Sequence, residues 1–165
     1  MLSSHLLRTY SVEHRALVCA RPFDEAHKRL VDTVPPLNLE TVSILTGAER
    51  DKVALARREW PKLWLFLVRD HGGLTAVDGG RLRAFQYEIS NPLTAERMTR
   101  NVPAAGLYAP LRVMLYEDSS SKAIFEHDLP SSLFSQFGDP RVVEVGKELD
   151  VELETILTTV AWSSE

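Results

Sequence analysis

Polar and apolar residues alternate most regularly between residues 82 and 118, where the pattern predicts strand, capped helix, loop and strand in succession. Phe85, Tyr87 and Ile89 alternate with Gln86 and Glu88, the period-two pattern of a half-buried strand. Asn91 and Pro92 stop that strand and suit the start of a helix over residues 92–100. The asparagine can accept a free backbone N–H, and proline lacks an N–H that would go unused at the first position. After Pro103 and Gly106 the alternation resumes, with Leu111, Val113 and Leu115 on one face and Arg112, Met114 and Tyr116 on the other. Arg112 is thus expected mid-strand on an apolar surface, with Glu88 or Glu126 near enough to neutralise it.

The flanking chain is patterned more simply. Residues 15–20, RALVCA, predict a short buried strand, and a helix follows from Phe23, with Asp24 as candidate cap and Ala26, Leu30 and Val34 on one face, until Pro35. Residues 37–45 suit a short helix or a loop equally. Thr46 and Glu49 have capping-box spacing, and the helical pattern continues to Pro61. Residues 62–80 predict two short strands, each ended by a glycine pair, which join the strand at 82–90 in an antiparallel meander because the connections are too short for crossovers. Ser119–Ser121 turn the chain into a hairpin strand over 122–127, a short helical turn is expected near 132–137, and the last helix begins at Gly138-Asp139-Pro140. Along it Val142, Val145, Leu149, Leu153, Ile156 and Val160 form a stripe at helical spacing. These elements make an α+β fold: an antiparallel sheet of five or six strands with helices packed on it, in one domain over 1–165 with residues 1–12 as a loosely attached tail.

Three strings in this order, YEISNPLTAERMT, LYAPLRVMLYED and FEHDLPSSLFSQFGDPRV, resemble one branch of the domain-of-unknown-function family 302, and a weaker likeness runs from RPFDEAHKRL to the end of the last helix. The resemblance implies a single α+β domain with an antiparallel sheet and helices, and no common activity. The branch usually places glycine before the asparagine-proline pair, where this chain has Ser90, which implies a less tight turn.

Composition narrows the function classes. A net charge of −4 over 165 residues leaves no positive excess to displace counterions from a nucleic-acid backbone, so nucleic acid is not an expected partner. The single Cys19 excludes an internal disulfide, and as a buried thiol it is a poor nucleophile. The longest apolar runs fall far short of the ~20 residues of a membrane span, and the amino terminus has no signal-peptide core. No membrane partner is expected, and the expected location is cytoplasmic. No G-x-S-x-G, phosphate loop or dinucleotide fingerprint occurs, and His5, His14, His27, His71 and His127 lack zinc spacing, so neither cofactor nor metal is expected.

Three readings remain. The first is a domain that binds a small apolar or anionic metabolite between the sheet and the helix at Pro92, lined by Phe85, Tyr87, Asn91, Met98, Arg112, Met114 and Tyr116. The second is a cofactor-independent isomerase, lyase or cyclase with His71 or Tyr87 as acid-base group and Arg112 holding an anion. The third is a scaffold that self-associates, as a homodimer, through a strand edge or the last helix. Each candidate also has a plainer role: His71 as a turn histidine, Tyr87 as core, Asn91 as cap and Arg112 as half of an ion pair. Binding ranks ahead of catalysis because no catalytic arrangement stands out.

Overall fold

In the computed structural model the described residues are 7–38, 41, 60–77, 79 and 82–162. In chain order they form β1 (His14–Val18), α1 (Phe23–Thr33), β2 (Trp64–Asp70), α2 (His71–Ala76), β3 (Ala84–Ser90), α3 (Pro92–Thr99), a 3-10 turn (Pro103–Tyr108), β4 (Leu111–Glu117), β5 (Ala123–Asp128), α4 (Pro130–Ser135) and α5 (Pro140–Trp162). The helix expected over 46–60 and the ambiguous 37–45 stretch lie outside the described residues, apart from Leu37, Asn38, Thr41 and Trp60. The strands make a five-stranded antiparallel sheet in the order β1-β5-β4-β3-β2, and the fold is α+β.

Among the described residues, helices cover one face of the sheet and leave the other open. Leu65, Tyr87, Ile89, Leu111, Val113, Leu115 and Phe125 join one core with Phe23, Ala26 and Leu30 of α1, Met98 of α3, and the α5 stripe. Val142, Val145, Leu149, Leu153 and Val160 are buried on α5 as their spacing predicts, but Leu157 faces the core while Ile156 is only half-buried. At 3.6 residues per turn a stripe drifts around a helix of 23 residues, so the inward position shifts by one near the end. On the opposite face the same strands carry Gln86, Glu88, Arg112, Met114 and Tyr116, which range from half-buried to exposed.

Three local expectations are corrected. Residues 71–76 form a helix where a strand was expected, because Asp70 caps it by accepting from the Gly73 N–H at 2.8 Å. Gly72 permits this turn: a Cβ there would lie 2.4 Å from the Leu82 carbonyl oxygen. β1 is an exposed edge strand, not a buried one; only Leu17 is half-buried, and the buried Cys19 follows its end. The cap of α1 is Pro22, without a side-chain hydrogen bond, and Asp24 in the first turn pairs with Arg83 instead.

Asn91 caps α3 as its position predicts, accepting from the Leu93 N–H at 2.9 Å. Its amide group also donates to the carbonyls of Lys62 at 3.0 Å and Pro61 at 3.4 Å, tying the entry of β2 to the start of α3. Asn91→Ala should therefore lower unfolding free energy by about 1–2 kcal/mol, toward the upper end of cap losses because two functions go together. Chemical denaturation checks this, and a loss within error of zero would show that the cap is dispensable.

Candidate functional site

The seven residues expected to line a pocket do not converge. Tyr87 and Met98 are buried in the core and Phe85 is half-buried beside them, so the space between sheet and α3 is filled with side chains. Arg112, Met114 and Tyr116 lie on the open face, on the other side of the sheet. Arg112 was expected on a surface too apolar to leave it unpaired, yet it is exposed and forms no ion pair among the described residues. Both proposed partners are engaged elsewhere. Glu88, opposite Arg112 in register, pairs with Arg69, and Glu126 accepts from the Tyr116 hydroxyl at 2.6 Å and lies 3.3 Å from His14 Nε2. The open face gives the guanidinium water, which removes the need for a carboxylate.

The catalytic candidates also separate. His71 is the first residue of α2, half-buried, with its Nε2 buried and without a hydrogen-bond partner among the described residues. Tyr87 is fully buried, and its hydroxyl lies 2.7 Å from Nδ1 of His27. Burial raises the Tyr87 phenol well above its ordinary value, so it stays protonated. The phenol has no other acceptor among the described residues, so it donates to Nδ1, and the imidazole proton is assigned to Nε2. His27 stacks on Phe85 with ring centroids 4.2 Å apart, and Phe85 stacks on Phe23, over which Arg83 sits at 4.5 Å. Sequence reasoning missed His27 because its partner is 60 residues away and only the sheet brings them together.

Desolvation lowers the His27 pKa below its ordinary 6.5, against the opposing pull of Asp24 and Asp70. A lowered pKa in the folded state means that stability is fully present above about 6.5 and is lost as pH falls through the folded value. Protonated His27 can no longer accept from Tyr87, so the bond must reverse, with Nδ1–H donating to the phenol oxygen and the buried O–H left without an acceptor. His27→Gln retains an acceptor but not the titration. It should flatten the decline of melting temperature below pH 6.5; identical acid slopes for both proteins would refute the assignment.

A cleft does occur beside α3, at its C-terminal end. Arg97, Arg100 and Asn101 face the first two turns of α5, which contribute Pro140, Arg141, Glu144 and Val145, around a volume of about 490 Å³. Each guanidinium is held by a carboxylate. Arg97 pairs with Glu148 at 2.6 and 2.8 Å, Arg100 with Glu96 at 2.6 and 2.8 Å, and Arg141 with Asp139 at 2.6 and 3.0 Å. Its bond with Arg141 pushes the Asp139 carboxyl down to about 2, and Arg97 lowers Glu148 in the same way. Two-point pairing uses two of the five N–H donors of each guanidinium and fixes its plane. Arg100 and Arg141, paired through Nε and one terminal nitrogen, keep a whole Nη1 group outside these pairs. The three paired carboxylates and Glu144 on the lining outweigh the three guanidinium groups by one charge, so the cleft offers oriented donors rather than a positive field. The i, i+3 spacing of Arg97 and Arg100 was visible in the sequence; their meeting with Arg141 was not.

Cys19 is buried, and burial raises its thiol to about 11, which keeps it protonated and unreactive at neutral pH. Among the described residues no three His, Cys, Asp or Glu side chains group as a metal site, and no helix is long and apolar enough to cross a membrane.

No curated protein matches the sequence. A crystal structure of an uncharacterised conserved DUF302 protein from Bacillus stearothermophilus is similar, with a TM-score of 0.66 and 14% identity over 90% of this chain and 98% of that one. At that identity the likeness is one of fold. The model of the family described as domain of unknown function DUF302 matches residues 66–160, from within β2 to near the end of α5 and more than half of the chain, and the chain belongs to that family.

Proposed function

We propose that this domain binds a small oxyanionic metabolite in the cleft between α3 and the start of α5. The observation that carries the reading is that Arg97, Arg100 and Arg141 line one open cleft of about 490 Å³, within the size range of small-ligand sites. The carboxylates on Arg97, Arg100 and Arg141 act as orienting partners. They hold the guanidinium planes in place before a ligand arrives, which lowers the ordering cost of binding. A carboxylate or phosphate group, with several acceptor lone pairs and planar or tetrahedral geometry, matches donors arranged in this way better than a neutral ligand does. Tyr87, out of contact with solvent, is a structural partner of His27 in this reading, and no acid-base role is assigned to it.

The test is thermal denaturation with phosphate, pyrophosphate and citrate at constant ionic strength, preceded by native mass spectrometry of freshly purified protein for a retained ligand. An oxyanion present at a hundred times its Kd should stabilise the fold by about 2.7 kcal/mol. The shift should disappear in the Arg97→Gln/Arg141→Gln double variant while the variant alone still unfolds cooperatively. If the wild type is not stabilised by any of the three anions and retains no ligand, the binding reading fails.

A further inference from the structure

The edge of the sheet at β1 carries a second inference, independent of the cleft. The Cys19 N–H donates to the Ala123 carbonyl and the Leu129 N–H to the Glu13 carbonyl, each at 2.8 Å. With the register that pairs Arg15 with His127 and Leu17 with Phe125, these bonds mark the odd-numbered residues as those whose backbone groups face β5. The N–H and C=O groups of His14, Ala16 and Val18 therefore face outward, with no strand on that side among the described residues. All three residues are exposed, Val18 by 44%.

We propose that this edge pairs with the same edge of a second copy of the chain, antiparallel, about a twofold axis at Ala16. This register matches every outward group. Ala16 exchanges two hydrogen bonds with its counterpart, and His14 exchanges two with Val18 on each side of the axis, so no outward donor or acceptor is left over. It also sets no like charges directly opposite each other, because His14 meets Val18 and Arg15 meets Leu17, while the two Arg15 side chains are only diagonal neighbours. A twofold shifted by one residue to Arg15 would place Arg15 directly against Arg15 of the other copy and set Val18 opposite Val12, outside β1. α5 runs along the same edge: Arg15 pairs with Glu154, and the Ala20 N–H donates to the Ala161 carbonyl at 3.1 Å. Trp162, 54% exposed, follows Ala161 at the end of that contact. The result is a continuous ten-stranded sheet across the dimer, an isologous contact in which one strand recognises itself.

Sedimentation equilibrium of the full chain over a wide concentration range tests the proposal. The wild type should show twice its 18.6 kDa mass. Ala16→Pro removes an outward N–H while leaving the bonds to β5 intact, so the variant should keep the wild-type circular dichroism spectrum and sediment as a monomer. Should that variant not fold, Ala16→Glu decides the matter, since it sets two carboxylates face to face at the axis and should also give a monomer. A wild type that stays at 18.6 kDa at every concentration, or a folded variant of either kind that stays dimeric, overturns the proposal.

Discussion

Leu149→Asp is expected to unfold a large fraction of the protein at room temperature. Leu149 is 2% exposed at the middle of the α5 stripe, in one core with Leu153, Val145 and the covered face of the sheet. Deleting a buried leucine costs about 2–5 kcal/mol through lost transfer energy and the cavity left behind. The aspartate adds the cost of burying a carboxylate, or of protonating it to avoid that burial. The described ionisable groups near mid-helix are committed to surface pairs such as Arg97 with Glu148 and Arg15 with Glu154, so no cation waits in the core to receive it. The combined loss is comparable to the whole stability of a domain this size, about 5–15 kcal/mol. Urea denaturation followed by circular dichroism measures it. A midpoint equal to that of the wild type would mean that the stripe faces water.

Gly146→Ala should destabilise the protein by about 1–3 kcal/mol, the overpacking range, although alanine is the better helix former by about 1 kcal/mol. At Gly146 α5 packs closely against α4. A Cβ there would lie 2.8 Å from the Ser131 Cα and 3.2 Å from its backbone nitrogen, with Phe134 Cδ2 at 3.2 Å on the other side. Backbone atoms at the start of a helix cannot swing aside as a side-chain end can. Ser131 is also anchored, since its N–H donates to Asp150 on α5 at 2.9 Å. Val151→Ala on the exposed side of the same helix is the control and should change stability by about 0.5 kcal/mol or less. If Gly146→Ala matched or exceeded the wild type in thermal melts, the α4–α5 contact would have to be looser than its geometry.

The elements the sequence determined by itself are those that short-range physics specifies. β3 and β4 show alternation, β5 follows the Ser119–Ser121 turn, α3 has its Asn91-Pro92 start, and α5 has a stripe that can be traced for five turns. In each case the signal lies within about ten residues and needs no knowledge of what packs against it. The helix at His71–Ala76 was misread because glycine pairs ordinarily signal turns, while here Gly72 serves a contact with Leu82 ten residues on. RALVCA looked like a buried strand because apolar content is the same for an inner strand and for an edge whose one covered face is enough to hold it.

What only the tertiary structure decided is which face of an alternating strand is covered and which distant residues meet. Alternation places Arg112 with Met114 and Tyr116 but cannot say that Arg112 is exposed, and on that depends whether a guanidinium needs a carboxylate or has water. His27 and Tyr87, 60 residues apart, meet because α1 crosses the sheet above β3. Arg97, Arg100 and Arg141 meet because the N-terminal turns of α5 lie beside the end of α3. Such contacts are set by the packing of whole elements, whose energy comes from core residues elsewhere in the chain. The side chains that make a site therefore leave no local pattern of their own.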